Sequence, residues 1–194
     1  LETARMERGH IRLQLHRKET IRLGGALDAD GRLQPEAMER GWDCLQRYAQ
    51  LMAHVPPSQR KVVATQTLRE ATNRQIFLDR TASIVQCPVE VITGEQEAQL
   101  IYQGVALFLP DDQHPRLVVD IGGRSTELGW GQGSELRHAS SYPLGSVGWA
   151  QAFFPDGTLS ATAFAQAREA ALSVLAPARP LANQLAKASS AQVY

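Results

Sequence analysis

Apolar residues recur along this chain with two periods, and the period changes from segment to segment. "HIRLQLH", His10 to His16, alternates apolar with polar, so Ile11, Leu13 and Leu15 share one face and predict a half-buried strand. "ETIRLGG" predicts a short second strand paired with it, before Gly24, Gly25 and "DADG" punctuate a loop. From Pro35 the spacing becomes three and four. Met38, Trp42, Leu45, Ala49 and Met52 form one stripe, and proline at a first helical position opens such a helix. "PP" at 56 and 57 ends it. "KVVATQ" then predicts a strand, and "TLREATNRQIFLDRTASIV" a helical region with a break near Asn73. "CPVEVIT" predicts a strand and "GEQEAQLIYQGVALFL" a helix closed by "PDDQHP". "RLVVDIGG" reads as a buried strand. "STELGWG" and "SELRHASSY" alternate and predict two more, with "GQG" as their turn. A loop and short helix follow, then a helix capped by Ser160, an Ala-rich helix, and "AQVY" as the start of another strand.

Strands and helices interleave, which predicts a mixed α/β architecture. There is no internal repeat and no low-complexity tract. The Pro/Asp loop at residues 110–115 marks a boundary, dividing the chain into 1–109 and 110–194, with the helix before it as a candidate connector.

Composition changes this picture only at the margins. A chain of 194 residues holds one large domain or two modest ones and needs no disulfide for its core. Its two cysteines, Cys44 and Cys87, are far apart and predict free thiols in a reducing, cytoplasmic setting. Lys+Arg and Asp+Glu balance at 20 each, so bulk charge gives no reason to expect duplex nucleic acid. No apolar run approaches the roughly 20 residues of a membrane span. The first ten residues carry no signal-peptide core. Leu1 is not an initiator methionine, so the chain reads as a processed form, an excised piece, or the ordered part of something longer.

Candidate chemistry concentrates in "LVVDIGGRSTEL", Leu117 to Leu128. A buried strand ending in Asp120 delivers a carboxylate to a sheet edge, where ligands of open α/β folds collect. Gly122 and Gly123 suit a tight turn whose N–H groups can cradle an anion. Ser125 and Thr126 add hydroxyls, and Glu127 a second carboxylate. Acids beside a phosphate repel it unless a hard cation intervenes, and Mg²⁺ accepts one or two carboxylates together with water and phosphate oxygens. An ordinary hairpin with a glycine turn is the alternative. In "TGEQEAQ", Glu95 and Glu97 either complement a helix dipole or supply a general base for water. Arg69, in "ATQTLREATN", lies just beyond a strand end, where a guanidinium either grips phosphate or faces solvent.

The three motifs "ATxxLRxAxN", "VIxGExEAxLIYxGV" and "RLVVDIGGxSTEL" occur in this order and at these separations. Together they resemble the exopolyphosphatase and guanosine pentaphosphate phosphohydrolase family, of the actin-like, sugar-kinase-like and Hsp70-like superfamily. The likeness runs from the strands at Ile11 to "SYPLGSVGW". It implies ribonuclease-H-like domains, each a mixed sheet flanked by helices, with an active site in an interdomain cleft. It implies Glu97 as the catalytic base, Asp120 and Glu127 as carboxylates for Mg²⁺ and water, and Gly122, Gly123, Ser125 and Thr126 as the phosphate loop. Arg69 matches an arginine of the cleft. A homodimer is implied for the full-length protein.

Two family phosphate loops, of the patterns D-x-G-S-N-S and G-x-S-G-T, are expected just before Leu1 and soon after Tyr194. The chain therefore reads as a piece of a larger enzyme, with 1–109 lacking its first strand, 110–194 truncated, and no turnover expected of it alone. Gln96 stands where an acid is common. Arg124 stands where the family has a third glycine; it is strained there if φ is positive, and otherwise either adds a phosphate-binding charge or points to solvent. The implied reaction is removal of a terminal phosphate from guanosine pentaphosphate or inorganic polyphosphate. A non-hydrolytic sensor of such ligands is the alternative, and a kinase of the same superfamily fits less well.

Overall fold

The computed structural model describes residues 1–110, 114–187 and 192–194. Its first element follows from a two-residue turn. Arg8 at φ 51° and Gly9 at φ 82° are both left-handed, as a type I′ turn requires, and they join β1 (Glu2–Glu7) to β2 (His10–His16). β2 thus pairs with the strand before it, not with "ETIRLGG". That segment instead holds a left-handed Arg22 and a single 3-10 turn at Leu23–Gly25. Glu19 within it is drawn away by an ion pair with Arg47. The expected half-buried face also differs. A register shift at Thr3/Ala4 sets Leu15 opposite Thr3 and Leu13 opposite Ala4, and Ile11 and Leu13 stand exposed.

The chain forms two compact units, Leu1–Val91 and Ile92–Tyr194. In the first, α1 (Pro35–Leu51) lays its stripe into the core, with Met38, Trp42 and Met52 buried. It meets α3 (Arg74–Val85) closely because Gly41 has no side chain; a Cβ there would reach the Phe77 ring at 2.8 Å. Trp42 stacks on Phe77 with ring centroids 5.5 Å apart, and its Nε1–H donates to the Phe77 carbonyl at 3.2 Å. β3 (Val62–Ala64) and β4 (Val89–Val91) pair in parallel around α2 (Gln66–Glu70) and α3. The helical break expected near Asn73 is present and has a reason. Asn73 Oδ1 accepts from the Leu33 N–H at 2.8 Å, and its Nδ2 donates to the Leu33 carbonyl at 3.0 Å. This pair satisfies the backbone of a core residue 1% exposed.

In the second unit, α4 (Gly94–Ala106) precedes a meander of β5 (Pro115–Ile121), β6 (Thr126–Gln132) and β7 (Glu135–Tyr142). Then come α5 (Ser146–Phe153), α6 (Ala161–Val174) and α7 (Arg179–Lys187), before β8 (Gln192–Val193) returns parallel to β5. Ser160 caps α6 as expected, its Oγ accepting from the Ala163 N–H at 3.1 Å. The sheet order β7-β6-β5-β8, antiparallel and then parallel, is how a ribonuclease-H-like sheet begins, so the predicted α/β class is the one observed.

The division between units falls at 91/92, not at the expected 109/110, because α4 packs on the second sheet. Ala98 and Tyr102 are buried on its sheet side, and Gly129 and Gly131 leave the room; a Cβ on Gly129 would stand 3.1 Å from Tyr102 Cβ. The Tyr102 hydroxyl donates to the Gly133 carbonyl at 3.1 Å, and buried Arg116 donates to the same oxygen at 3.2 Å. Residues 111–113 of the expected boundary loop lie outside the described residues. Cys44 and Cys87 are buried free thiols. Among the described residues no helix is long and apolar enough to cross a membrane.

Candidate functional site

β5 and β6 pair so that Asp120 stands directly opposite Glu127. Opposed residues of an antiparallel pair project from the same face, with Cβ atoms about 4.5–5.5 Å apart. The face follows from their neighbours: Val118 opposes Gly129 and Arg116 opposes Gly131, the two glycines over which Tyr102 lies. Asp120 and Glu127 are therefore on the side that α4 covers.

The start of α4 is placed by Ser141. This residue is opposite Glu127 on β7, and a Cβ on Gly94 would overlap its side chain. Glu97 lies three residues after Gly94 and next to buried Ala98, at the half-buried edge of the docked face. Helix start and strand register thus bring Glu97, Asp120 and Glu127 to one end of one face. Glu127 is only 2% exposed, and its Oε1 accepts a hydrogen bond from Ser141 Oγ at 2.7 Å. Asp120 is exposed.

The fit to a cation can be judged from this pair. Facing carboxylates repel, and a buried one is costly unless hydrogen-bonded or compensated. A hard cation that takes one or two carboxylates, with water and phosphate oxygens completing its shell, suits the arrangement. Among the described residues no group of three or more His, Cys, Asp or Glu gathers for a metal. Asp120 and Glu127 are thus two protein ligands at most from that set, which is the number Mg²⁺ tolerates.

The turn between the strands, residues 122–125, differs from expectation in how it is shaped. Gly122 and Gly123 are not among the glycines of positive φ, so left-handed freedom does not explain them. Space does, in part: a Cβ on Gly122 would stand 3.1 Å from the Ser125 carbonyl oxygen, and one on Gly123 3.4 Å from Val147 Cγ2. Arg124 likewise has no positive φ, which removes the strained alternative; its position is half-buried. The Gly122 N–H donates to the Ser125 carbonyl at 2.9 Å, so this amide closes the turn.

The turn is gripped from the α5 side. Ser146 N–H and Oγ–H both donate to the Gly122 carbonyl, at 3.0 and 3.2 Å. Val147 and Gly148 N–H groups donate to the Gly123 carbonyl, at 2.8 and 3.1 Å. Every peptide bond here is trans, and in a trans peptide the C=O and the following N–H point opposite ways. Carbonyls turned toward α5 therefore turn the N–H groups of Gly123 and Arg124 away from it. Gly145 permits the grip, since a Cβ there would overlap the Arg124 backbone. Thr126 serves the same clamp: its hydroxyl donates to the Leu144 carbonyl at 2.6 Å. Ser125 is buried at 4% exposure.

Gln96 also acquires a reason. Its N–H donates to Thr93 Oγ1 at 3.1 Å, and its side-chain Oε1 accepts from the Thr93 N–H at 2.8 Å. That reciprocal capping box needs Glu or Gln at this position, so the amide does the work of the common acid. Arg69 belongs to the first unit, on α2 just past β3, with its Nε–H donating to Gln66 Oε1 at 2.9 Å. The structure thus gathers Asp120, Gly122, Gly123, Arg124, Ser125, Thr126 and Glu127 into one turn and strand pair, with Glu97 on the helix whose start packs beside them and Arg69 in the other unit. Ser141, Gly94 and Gly145 were not predicted; their roles depend on which strand and helix lie opposite, for which the local sequence has no marker.

The model for the Ppx/GppA phosphatase family matches residues 3–192. Among solved structures, a Ppx/GppA family member from Aquifex aeolicus is 35% identical over 79% of this chain, with a TM-score of 0.66. A second Aquifex aeolicus structure, of a PPX-GPPA enzyme, is 31% identical over 91%, with a TM-score of 0.72. An exopolyphosphatase from Cytophaga hutchinsonii superposes over 99% with a TM-score of 0.85 and, at 24% identity, speaks for the fold alone. This chain spans 50%, 58% and 61% of the lengths of those three. The match along nearly its whole length places the chain in the Ppx/GppA phosphatase family.

Proposed function

We propose that the complete protein removes a terminal phosphate from a phosphoanhydride chain, with guanosine pentaphosphate and inorganic polyphosphate as the candidate substrates. The carrying observation is the facing pair Asp120–Glu127 beneath the start of the helix that bears Glu97. In this reading Asp120 and Glu127 hold Mg²⁺, which when bound would neutralise phosphate charge. The amides of Gly123 and Arg124, turned away from α5, face the anion. Glu97 takes a proton from water as its oxygen bonds to the terminal phosphorus. The bridging P–O bond breaks, and the shortened chain leaves with that oxygen. Positioning and charge neutralisation are most of what phosphoryl transfer needs, so few side chains suffice. Arg69 is assigned to phosphate as a further guanidinium, and Arg124 as a positive charge near a polyphosphate tail.

The test is phosphate release by the complete protein from each substrate, with and without Mg²⁺, alongside Glu97→Gln. Loss of a general base should lower kcat about 10²–10⁴-fold with binding retained. Undiminished release by Glu97→Gln sinks the assigned base. Tight binding of either substrate with no release by the wild type replaces the hydrolase with a sensor.

A further inference from the structure

Ser141 touches both halves of the candidate site. Its Oγ–H donates to Glu127 Oε1 at 2.7 Å, from the position directly across the strand. Its side chain also fills the space that anything larger than glycine at position 94 would need, so the first residue of α4 rests on it. A hydrogen bond donated to a carboxylate is charge-assisted and orients the acceptor. Glu127, 2% exposed, is held where it lies by this donor and its place in the ladder. Residues that hydrogen-bond metal-binding carboxylates set ligand orientation, and their loss typically weakens metal binding or activity by about 10–100-fold.

Resting on the functional reading above, we propose that Ser141 is a positioning residue: its hydroxyl holds the Glu127 carboxylate for the cation, while its Cβ sets the seat of the helix that carries Glu97. The two duties separate by substitution. Ser141→Cys keeps the volume under Gly94 but offers only a weak donor. Ser141→Ala removes the donor but keeps the Cβ on which Gly94 rests, so both variants take away the hydrogen bond and spare the seat.

The experiment uses the complete protein with Mn²⁺ as the spectroscopic probe, its binding followed by electron paramagnetic resonance and calorimetry, with Tm measured in parallel. Both Ser141 variants should raise the Mn²⁺ Kd by about ten-fold or more, and Ser141→Cys should leave Tm essentially unchanged. In turnover, the Mg²⁺ concentration for half-maximal rate should rise by a similar factor, while kcat at saturating Mg²⁺ stays within about two-fold. If Glu127→Gln weakens Mn²⁺ but Ser141→Cys binds it as the wild type does, Ser141 is only packing and the proposal falls alone. If Glu127→Gln leaves Mn²⁺ affinity unchanged, the cation reading fails and takes this proposal with it. If Ser141→Ala does not fold, Ser141→Cys decides the matter by the same two readings.

Discussion

Two hairpins in this protein turn at a stretch containing arginine and glycine, and they are built on opposite principles. The β1–β2 hairpin turns in two residues, Arg8 and Gly9, both left-handed, and nothing stands within 4 Å of where a Gly9 side chain would begin. Its shape comes from local backbone chemistry. The β5–β6 hairpin turns through Gly122, Gly123, Arg124 and Ser125 with no positive φ. Its shape comes from outside: four donors from Ser146, Val147 and Gly148, the Thr126 hydroxyl on Leu144, and the close approach of Gly145. A glycine can thus be needed for its torsion angle or for its missing side chain. The hairpin carrying candidate chemistry uses the second kind, which lets a neighbouring helix dictate where its amides point.

This contrast can be broken at several points. The largest effect is expected for Gly145→Ala, which drives a methyl into the Arg124 backbone. Overpacking of this kind costs about 1–3 kcal/mol, and the upper end is expected because backbone cannot swing aside. Chemical denaturation measures it, and amide shifts of residues 122–125 should move with it. An unchanged midpoint would mean the clamp does not shape the turn. Next comes Thr126→Val, which leaves the Leu144 carbonyl without its hydroxyl donor at a cost of about 1–2 kcal/mol. Gly9→Ala should cost about 1 kcal/mol, from the left-handed torsion alone, with no shift outside the hairpin. Gly123→Ala is the counter-experiment. With φ unstrained and Val147 3.4 Å away, it should change stability by less than about 0.5 kcal/mol.

A smaller effect concerns the tyrosine on which the second hairpin rests. Burial raises the Tyr102 hydroxyl pKa above its ordinary value, with the Arg116 charge opposing. A raised pKa means the native state keeps this proton when the unfolded chain has lost it. The contribution to stability is complete below the unfolded value of about 10 and is lost as pH rises through the folded one. Urea midpoints should fall more steeply above pH 10 in the wild type than in Tyr102→Phe.

The site was legible where one short segment carries its own chemistry. The D-x-G-G-x-S-T-E run and the G-E-x-E-A helix start announce acids, a turn and a cap from neighbours in sequence, and the structure keeps them together. Which of the alternatives open for Arg124 holds was not legible, because the torsion of a turn clamped from outside cannot be read from its own residues. The Thr126 hydroxyl's bond to Leu144 was not legible, because that partner lies eighteen positions on.

By itself, the sequence determined most element types, though not β1 or the 3-10 turn at Leu23–Gly25, since hydrophobic period, caps and turn residues act over a few positions. It set the helix stripe of α1, the Ser160 cap, the three strands of the meander and the family to which the chain belongs. Only the tertiary structure decided that Asp120 faces Glu127, that Ser141 lies between Glu127 and Gly94, and that α4 belongs with the second sheet. Each of these depends on strand register or on the fit of a glycine against a distant side chain. Register is settled by the whole ladder and its packing at once, because a slip of one residue would send every side chain to the other face.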